Sequence, residues 1–205
     1  MNLAKLKRRV WFRYAMRGSG QNDPYKQLNR LYFIRDPWAI DTPGELPRIQ
    51  TTNDAVQKAF GHVDTMLEVG AGEGVQSQHL AKLCNHLTGI DVSPRAIARA
   101  RKRAARHFPG ATFNPGDLGS QPWADEADKF DVVVAAEVLN YMSDPKAFLD
   151  RITRLAKRGW LLTYYAMNDA KLGPLVRNDP RIQMGTITYG DNSEKKSYSA
   201  WYVKP

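Results

Sequence analysis

The residues best placed to do chemistry lie in Leu67-Glu68-Val69-Gly70-Ala71-Gly72-Glu73-Gly74. An apolar run ends there in alternate glycines and passes into a segment of helical pattern. Glycine, lacking a Cβ, permits a tight turn and lets a ligand approach the backbone. A strand-turn-helix unit also aims backbone N–H groups at that ligand. Two acids follow at the ends of later apolar runs: Asp91, 21 residues past Gly70, and Asp117, within Asn114-Pro115-Gly116-Asp117-Leu118. An acid in the first position can accept both ribose hydroxyls of an adenosine. Asp117 is placed to accept from the adenine amino group, with the Leu118 amide offered to a ring nitrogen. Each feature alone has a plainer explanation: a structural turn, a helix cap before Pro94 (for which Ser93 is the better residue), or a loop acid. At successive strand ends they point together to an adenosine site.

Charge selects among adenosine ligands. A nicotinamide site reads G-x-G-x-x-G, and here the third glycine falls one residue early. A phosphate loop needs Lys and then Ser or Thr after its last glycine, where Val75-Gln76 stand. Glu68 would repel a diphosphate and suits a cationic amino-acid portion. S-adenosylmethionine carries an ammonium and a sulfonium and no phosphate, so it fits best.

These residues need a scaffold that gathers strand ends. Apolar runs predict strands over 63–69, 86–90, 111–114, 130–135 and 160–165, with helices over 73–83, 94–107 and 145–156 between them. Val132-Val133-Val134 is typical of a strand buried on both faces. Two further strands, 182–189 and 197–203, are joined by a turn cluster and must run antiparallel. The expectation is an α/β fold: a Rossmann-like, doubly wound, mostly parallel seven-stranded sheet with an antiparallel C-terminal strand. Upstream, a short helix over 25–33, an irregular loop and a helix over 51–60 capped by Thr51 or Thr52 make an N-terminal lid region, 23–60, of a domain spanning 23–205.

The chain has 205 residues and a net charge of +9. Residues 1–22 hold Lys5, Lys7, Arg8, Arg9, Arg13 and Arg17 and no acid. Leu3, Leu6, Val10 and Tyr14 recur there at helical spacing, with Trp11 and Phe12 beside them. Such an arm suits an anionic membrane surface or nucleic acid, or equally a presequence-like role, being rich in Arg and poor in acid; the plainer alternative packs Trp11 and Phe12 on the domain. Gly18 to Pro24 is a breaker cluster that ends it. One cysteine, Cys84, excludes an intrachain disulfide, and no apolar stretch is long enough to span a membrane. A cytoplasmic location follows, peripheral to a membrane if the arm docks.

The motifs resemble those of class I S-adenosylmethionine-dependent methyltransferases: Glu68 to Gly74 the first, Gly89-Ile90-Asp91 the second, Gly116-Asp117-Leu118 the third and Phe130-Asp131-Val132-Val133-Val134 the fourth. A narrower resemblance is to the NodS-like enzymes, nodulation-factor N-methyltransferases and their bacterial relatives, which act on deacetylated amino-sugar oligosaccharides. Asp36-Pro37-Trp38, Glu45 with Arg48, Asp91 to Ile97, and Ala136-Glu137-Val138-Leu139-Asn140-Tyr141-Met142 carry it. Asn140 departs from it, standing where an aromatic is expected, and the link after the fifth strand is short.

The combined reading places Trp38, Arg48, Glu68, Gly70, Ala71, Gly72, Asp91, Val92, Gly116, Asp117, Leu118, Ala136 and Glu137 at the cofactor. Glu137 is the candidate base for an amine acceptor, or a residue that only orients a ligand. Tyr141 and Trp38 flank the acceptor or close a lid over the cofactor, or are packing residues. Arg48 pairs with the cofactor carboxylate or sits in a surface ion pair. Cys84, expected on a helix, is a core residue rather than a nucleophile, and the four histidines show no metal-ligand spacing. Arg95, Arg99, Arg101, Lys102, Arg103 and Arg106 read as a solvated helix face. The expected function is N-methylation of a small-molecule or glycan amine. The alternatives are a nucleic-acid methyltransferase and a non-catalytic module that docks on a membrane or partner.

Overall fold

The computed structural model describes residues 3–15, 24–190 and 192–205. The strands are β1 (Val63–Val69), β2 (Cys84–Asp91), β3 (Thr112–Pro115), β4 (Phe130–Ala136), β5 (Ala156–Tyr165), β6 (Ile182–Tyr189) and β7 (Lys195–Val203). They form one sheet in the order β3-β2-β1-β4-β5-β7-β6. β7 lies between β5 and β6 and is antiparallel to both, while β1 to β5 pair in parallel. Strand order reverses at β1, which is flanked by β2 and β4; in such sheets the crevice beyond the carboxyl ends at this point takes ligands.

The helices are α1 (Leu3–Ala15), α2 (Pro24–Leu31), α3 (Leu46–Phe60), α4 (Ser77–Leu80), α5 (Pro94–His107), α6 (Pro145–Leu155) and α7 (Asp169–Arg177). The two-residue period of β4 divides the core. Val132 and Val134 join Val56, Phe60 and Leu80 of α3 and α4 on one face. Val133 and Ala135 join Phe148, Leu149 and Ile152 of α6 and Leu172 and Val176 of α7 on the other. α5 starts at a Ser93 cap whose hydroxyl accepts from Ala96 N at 3.3 Å, and it buries Ile97, Ala100 and Ala104. Asp144 caps α6 in the same way, accepting from Ala147 N at 2.9 Å. No helix among the described residues is long and apolar enough to cross a membrane.

Several elements depart from expectation. The helix expected over 73–83 is the single turn α4, because Gly74 at φ +78° interrupts it and i→i+3 bonds such as Leu83 N to Leu80 O close its end. Cys84 therefore opens β2 instead of ending a helix. It is buried, and burial pushes its thiol up to about 12, an inert core group. α3 begins at Leu46, with Pro47 in its first turn, so Thr51 and Thr52 lie inside it and cap nothing. α7 had no counterpart in the sequence reading.

The basic strip of α5 is a solvated face only in part: Arg95, Arg101, Lys102 and Arg106 are exposed, but four of the five arginines have partners. Arg99 donates to Ile34 O (2.7 Å), Tyr32 O (2.9 Å) and Glu73 Oε1 (2.6 Å). Arg103 reaches Asp41 (2.6 Å), Arg95 stacks on Phe33 (3.9 Å to the ring centre), and Arg101 donates to Phe113 O (2.9 Å). Only Lys102 and Arg106 of that strip stand clear in solvent. Arg95, Arg99 and Arg103 thus fasten residues 29–41 over the carboxyl end of the sheet.

α1 packs on this strap through Trp11 and Phe12, the residues the plainer sequence reading set against the domain. Trp11 Nε1 donates to Leu31 O (3.1 Å), the Phe12 ring lies 5.3 Å from that of Trp38, and Ala15 is fully buried. Leu6, Val10 and Tyr14 are exposed. The breaker cluster expected to end the arm lies, but for Pro24, outside the described residues.

Candidate active site

A cavity of about 420 Å³ opens at the carboxyl ends of β1, β2 and β4, and every residue named above for cofactor or acceptor lines it. The turn after β1 is pinned to β2: Gly70 N and Ala71 N both donate to Ile90 O, at 2.8 and 2.9 Å. Gly70 (φ +74°) and Gly72 (φ +54°) occupy left-handed backbone, where a side chain costs about 1–2 kcal/mol. A Cβ on Gly70 would overlap Val138, and one on Gly72 would lie 2.9 Å from the Tyr32 hydroxyl.

Asp91 ends β2 with both carboxylate oxygens anchored. Oδ2 accepts from Gly72 N (3.0 Å) and Oδ1 from Ser93 N (2.8 Å). Each oxygen keeps a second lone pair for a ligand hydroxyl. Burial pushes its pKa up to about 6 against those two bonds. Glu68, at the penultimate position of β1, is fully enclosed; burial pushes it up to about 8, while the hydrogen bond from the Ser77 hydroxyl pulls the other way. Asp117 caps the short turn Leu118–Ser120 through Ser120 N (2.8 Å), so its loop-acid role is present beside its place in the cavity wall.

The opposite end of the cavity has a different character. Glu137 follows β4 at φ +59°, a backbone region uncommon for a residue with a side chain. Thr163 of β5 fixes it there. Its carbonyl accepts from Glu137 N (3.0 Å), and its hydroxyl donates to Glu137 Oε1 (3.0 Å). Glu137 Oε2 is buried with no hydrogen-bond partner. Burial raises its pKa, against the pull of Arg48. Arg48 is itself buried: Nε donates to Glu45 (2.9 Å), and Nη1 has no partner. Lys195 closes the far side of Glu45 at 2.7 Å. The Arg48 pair is therefore interior, not a surface pair. Trp38 and Tyr141, ring centres 5.6 Å apart, wall the cavity with Tyr165.

Among the described residues, Arg48 is the one cation in the buried set, against Glu45, Glu68, Asp91 and Glu137. An interior so biased disfavours an anionic ligand. Sequence reasoning missed Tyr32, Thr163 and Tyr165. Thr163 and Tyr165 fall in a recognised strand, but nothing in the sequence says which neighbour they meet.

The methyltransferase-domain family profile matches residues 62–201. The chain belongs to that family, a class of Rossmann-like enzymes served by S-adenosylmethionine. Nodulation protein S of Rhizobium tropici is 31% identical over 159 residues, covering 75% of this chain and 64% of its own. A ubiquinone biosynthesis O-methyltransferase of Caulobacter vibrioides is 33% identical over 104 residues, 51% of this chain and 41% of its own. The chain spans between 57% and 64% of the length of the nodulation proteins it matches. The crystal structure of the N-methyltransferase NodS from Bradyrhizobium japonicum WM9 with S-adenosyl-L-homocysteine superposes with a TM-score of 0.72 at 25% identity, covering 90% of this chain and 100% of that one. The cavity here fits S-adenosylmethionine by its chemistry: a turn bare of side chains at Gly70 and Gly72, an anchored acid for a ribose, a buried guanidinium atom with no partner, and a surplus of buried acids.

Proposed function

We propose that this chain transfers a methyl group from S-adenosylmethionine to the nitrogen of an amine on a small molecule or sugar. The observation that carries the acceptor class is Glu137, whose Oε2 is buried and unpartnered beside the aromatic wall of Trp38 and Tyr141. Asp91 grips the ribose, Asp117 and the Leu118 amide read the adenine, Arg48 Nη1 meets the carboxylate of the amino-acid portion, and Glu68 balances its ammonium. Bound there, the cofactor supplies a methyl group already activated on a sulfonium.

The chain's own work is alignment and proton handling. Holding donor and acceptor in line supplies roughly 7–11 kcal/mol of the barrier. An ammonium has no lone pair, so the acceptor must lose a proton before it attacks. Glu137 takes that proton on Oε2, and its raised pKa makes it a stronger base than a solvated glutamate. Thr163 holds the carboxylate in register from β5. Trp38 and Tyr141, in contact with each other, form one aromatic wall against which the amine is held.

The test is release of S-adenosylhomocysteine with chito-oligosaccharides that carry a free amine, the same oligosaccharides fully N-acetylated, and a catechol. Turnover confined to the free amine supports the reading. Turnover on the catechol alone overturns the acceptor class in favour of oxygen methylation.

A further inference from the structure

The cavity does not account for the outer face of α1. This helix carries Lys5, Lys7, Arg8, Arg9 and Arg13 and no acid. It turns its larger rings inward, Trp11 and Phe12, onto the strap. Arg8 also faces that side, 4.0 Å from Asp36. Its apolar stripe points out: Leu6 is 39% exposed, Val10 60% and Tyr14 61%. Phe33 on the strap is 57% exposed, and its ring contacts Trp11, so the strap extends the patch. Cations frame it, with Arg13 exposed and Arg95 over the Phe33 ring. A helix that needed only to pack on the domain would bury this stripe. Apolar side chains in a cationic frame match one surface by charge and polarity together, the headgroup boundary of an anionic bilayer.

We propose that α1 and the strap dock on anionic phospholipid bilayers through Leu6, Val10, Tyr14 and Phe33, with Arg13 and Arg95 at the lipid phosphates. Docked this way, the wall formed by Phe12, Trp38 and Tyr141 stands between the bilayer and the cavity, as the ring contacts place it.

The test is flotation of the full chain with vesicles of phosphatidylcholine alone and of phosphatidylcholine with phosphatidylglycerol, across a salt series. The expected result is binding to the anionic vesicles, weakened by salt and much lower on the neutral ones. Val10→Ser with Tyr14→Ser should weaken it at least tenfold. Arg13→Glu should weaken it by at least the roughly fivefold expected per cation. Circular dichroism and calorimetric binding of S-adenosylmethionine should match the parent chain in both variants, since none of these residues lines the cavity. The proposal is overturned if the parent chain does not float with anionic vesicles at low salt, or if the Val10/Tyr14 variant floats as well as the parent. It is equally overturned if light scattering shows that the patch holds two copies of the chain together, or if the chain prefers tRNA to vesicles and loses it with the same substitutions.

Discussion

Replacing Glu137 by Gln tests the proton-transfer step with little disturbance of the scaffold. The amide keeps an oxygen to accept from Thr163 Oγ1, the bond now 3.0 Å long, and the backbone bond to Thr163 O is untouched. Arg48 retains Glu45 at 2.9 Å. What disappears is a basic atom at Oε2, replaced by an N–H pair that repels an ammonium. General-base catalysis is worth about 10²–10⁴ in rate, so kcat should fall by at least about 100-fold, or ~2.7 kcal/mol of barrier. Affinity for S-adenosylmethionine should change by no more than about tenfold, the worth of one ordinary hydrogen bond. The assay is steady-state S-adenosylhomocysteine release with an amine acceptor over a pH series, with calorimetry for the cofactor. The parent rate should rise with pH as the carboxylate ionises, and the variant should lose that limb. A variant with kcat within about threefold of the parent refutes the base role and leaves Glu137 as an orienting residue.

Other perturbations follow from the same geometry. Asp91→Asn replaces one anchored oxygen by a donor facing Gly72 N or Ser93 N, and calorimetry should show S-adenosylmethionine binding about 10–100-fold weaker. Gly70→Ala combines left-handed strain with overlap on Val138; thermal denaturation should show a loss of about 1–3 kcal/mol, and cofactor binding should weaken too. Glu68 and Asp91 have pKa values raised to about 8 and about 6, so cofactor binding should tighten as pH rises through that window and release protons, measurable in buffers of different ionisation heat. For the free chain the sign is opposite: groups raised on folding favour the folded state below their unfolded pKa values and lose that contribution as pH climbs to about 8, so these two make it less stable toward alkaline pH. Arg99→Ala removes three bonds to the strap and Glu73, and hydrogen exchange over 29–41 should accelerate with the core strands unchanged.

What could be read in the sequence follows from which interactions are local. The turn at Gly70, the β-branched run of β4 and the acid at Asp91 are each set by neighbours within a few residues, so the cavity floor was legible. α7 was not, because Gly173 and Pro174 stand inside it and its helical face is carried by Leu172 and Val176 against the sheet. The start of α3 was obscured by Pro43, Gly44 and Pro47, which suggest a loop until the short helical turn at Pro43–Glu45 is seen to lead into it. The arginines of α5 looked solvated because their partners, mostly backbone carbonyls and acids of 32–41, lie about 60 residues upstream and carry no sequence signal. The stripe of α1 has helical periodicity, but periodicity does not say which face the rest of the molecule covers. Glu137 was found by resemblance, whereas its left-handed backbone and its Thr163 clamp arise only when β4 and β5 pair.

Everything rests on one ligand occupying the cavity between Gly72, Asp91 and Arg48. Titration calorimetry of S-adenosylmethionine into the full chain tests this directly. The expected result is one site per chain, displaced by S-adenosylhomocysteine and weakened by Asp91→Asn. No binding, or binding that Asp91→Asn leaves unchanged, contradicts the account.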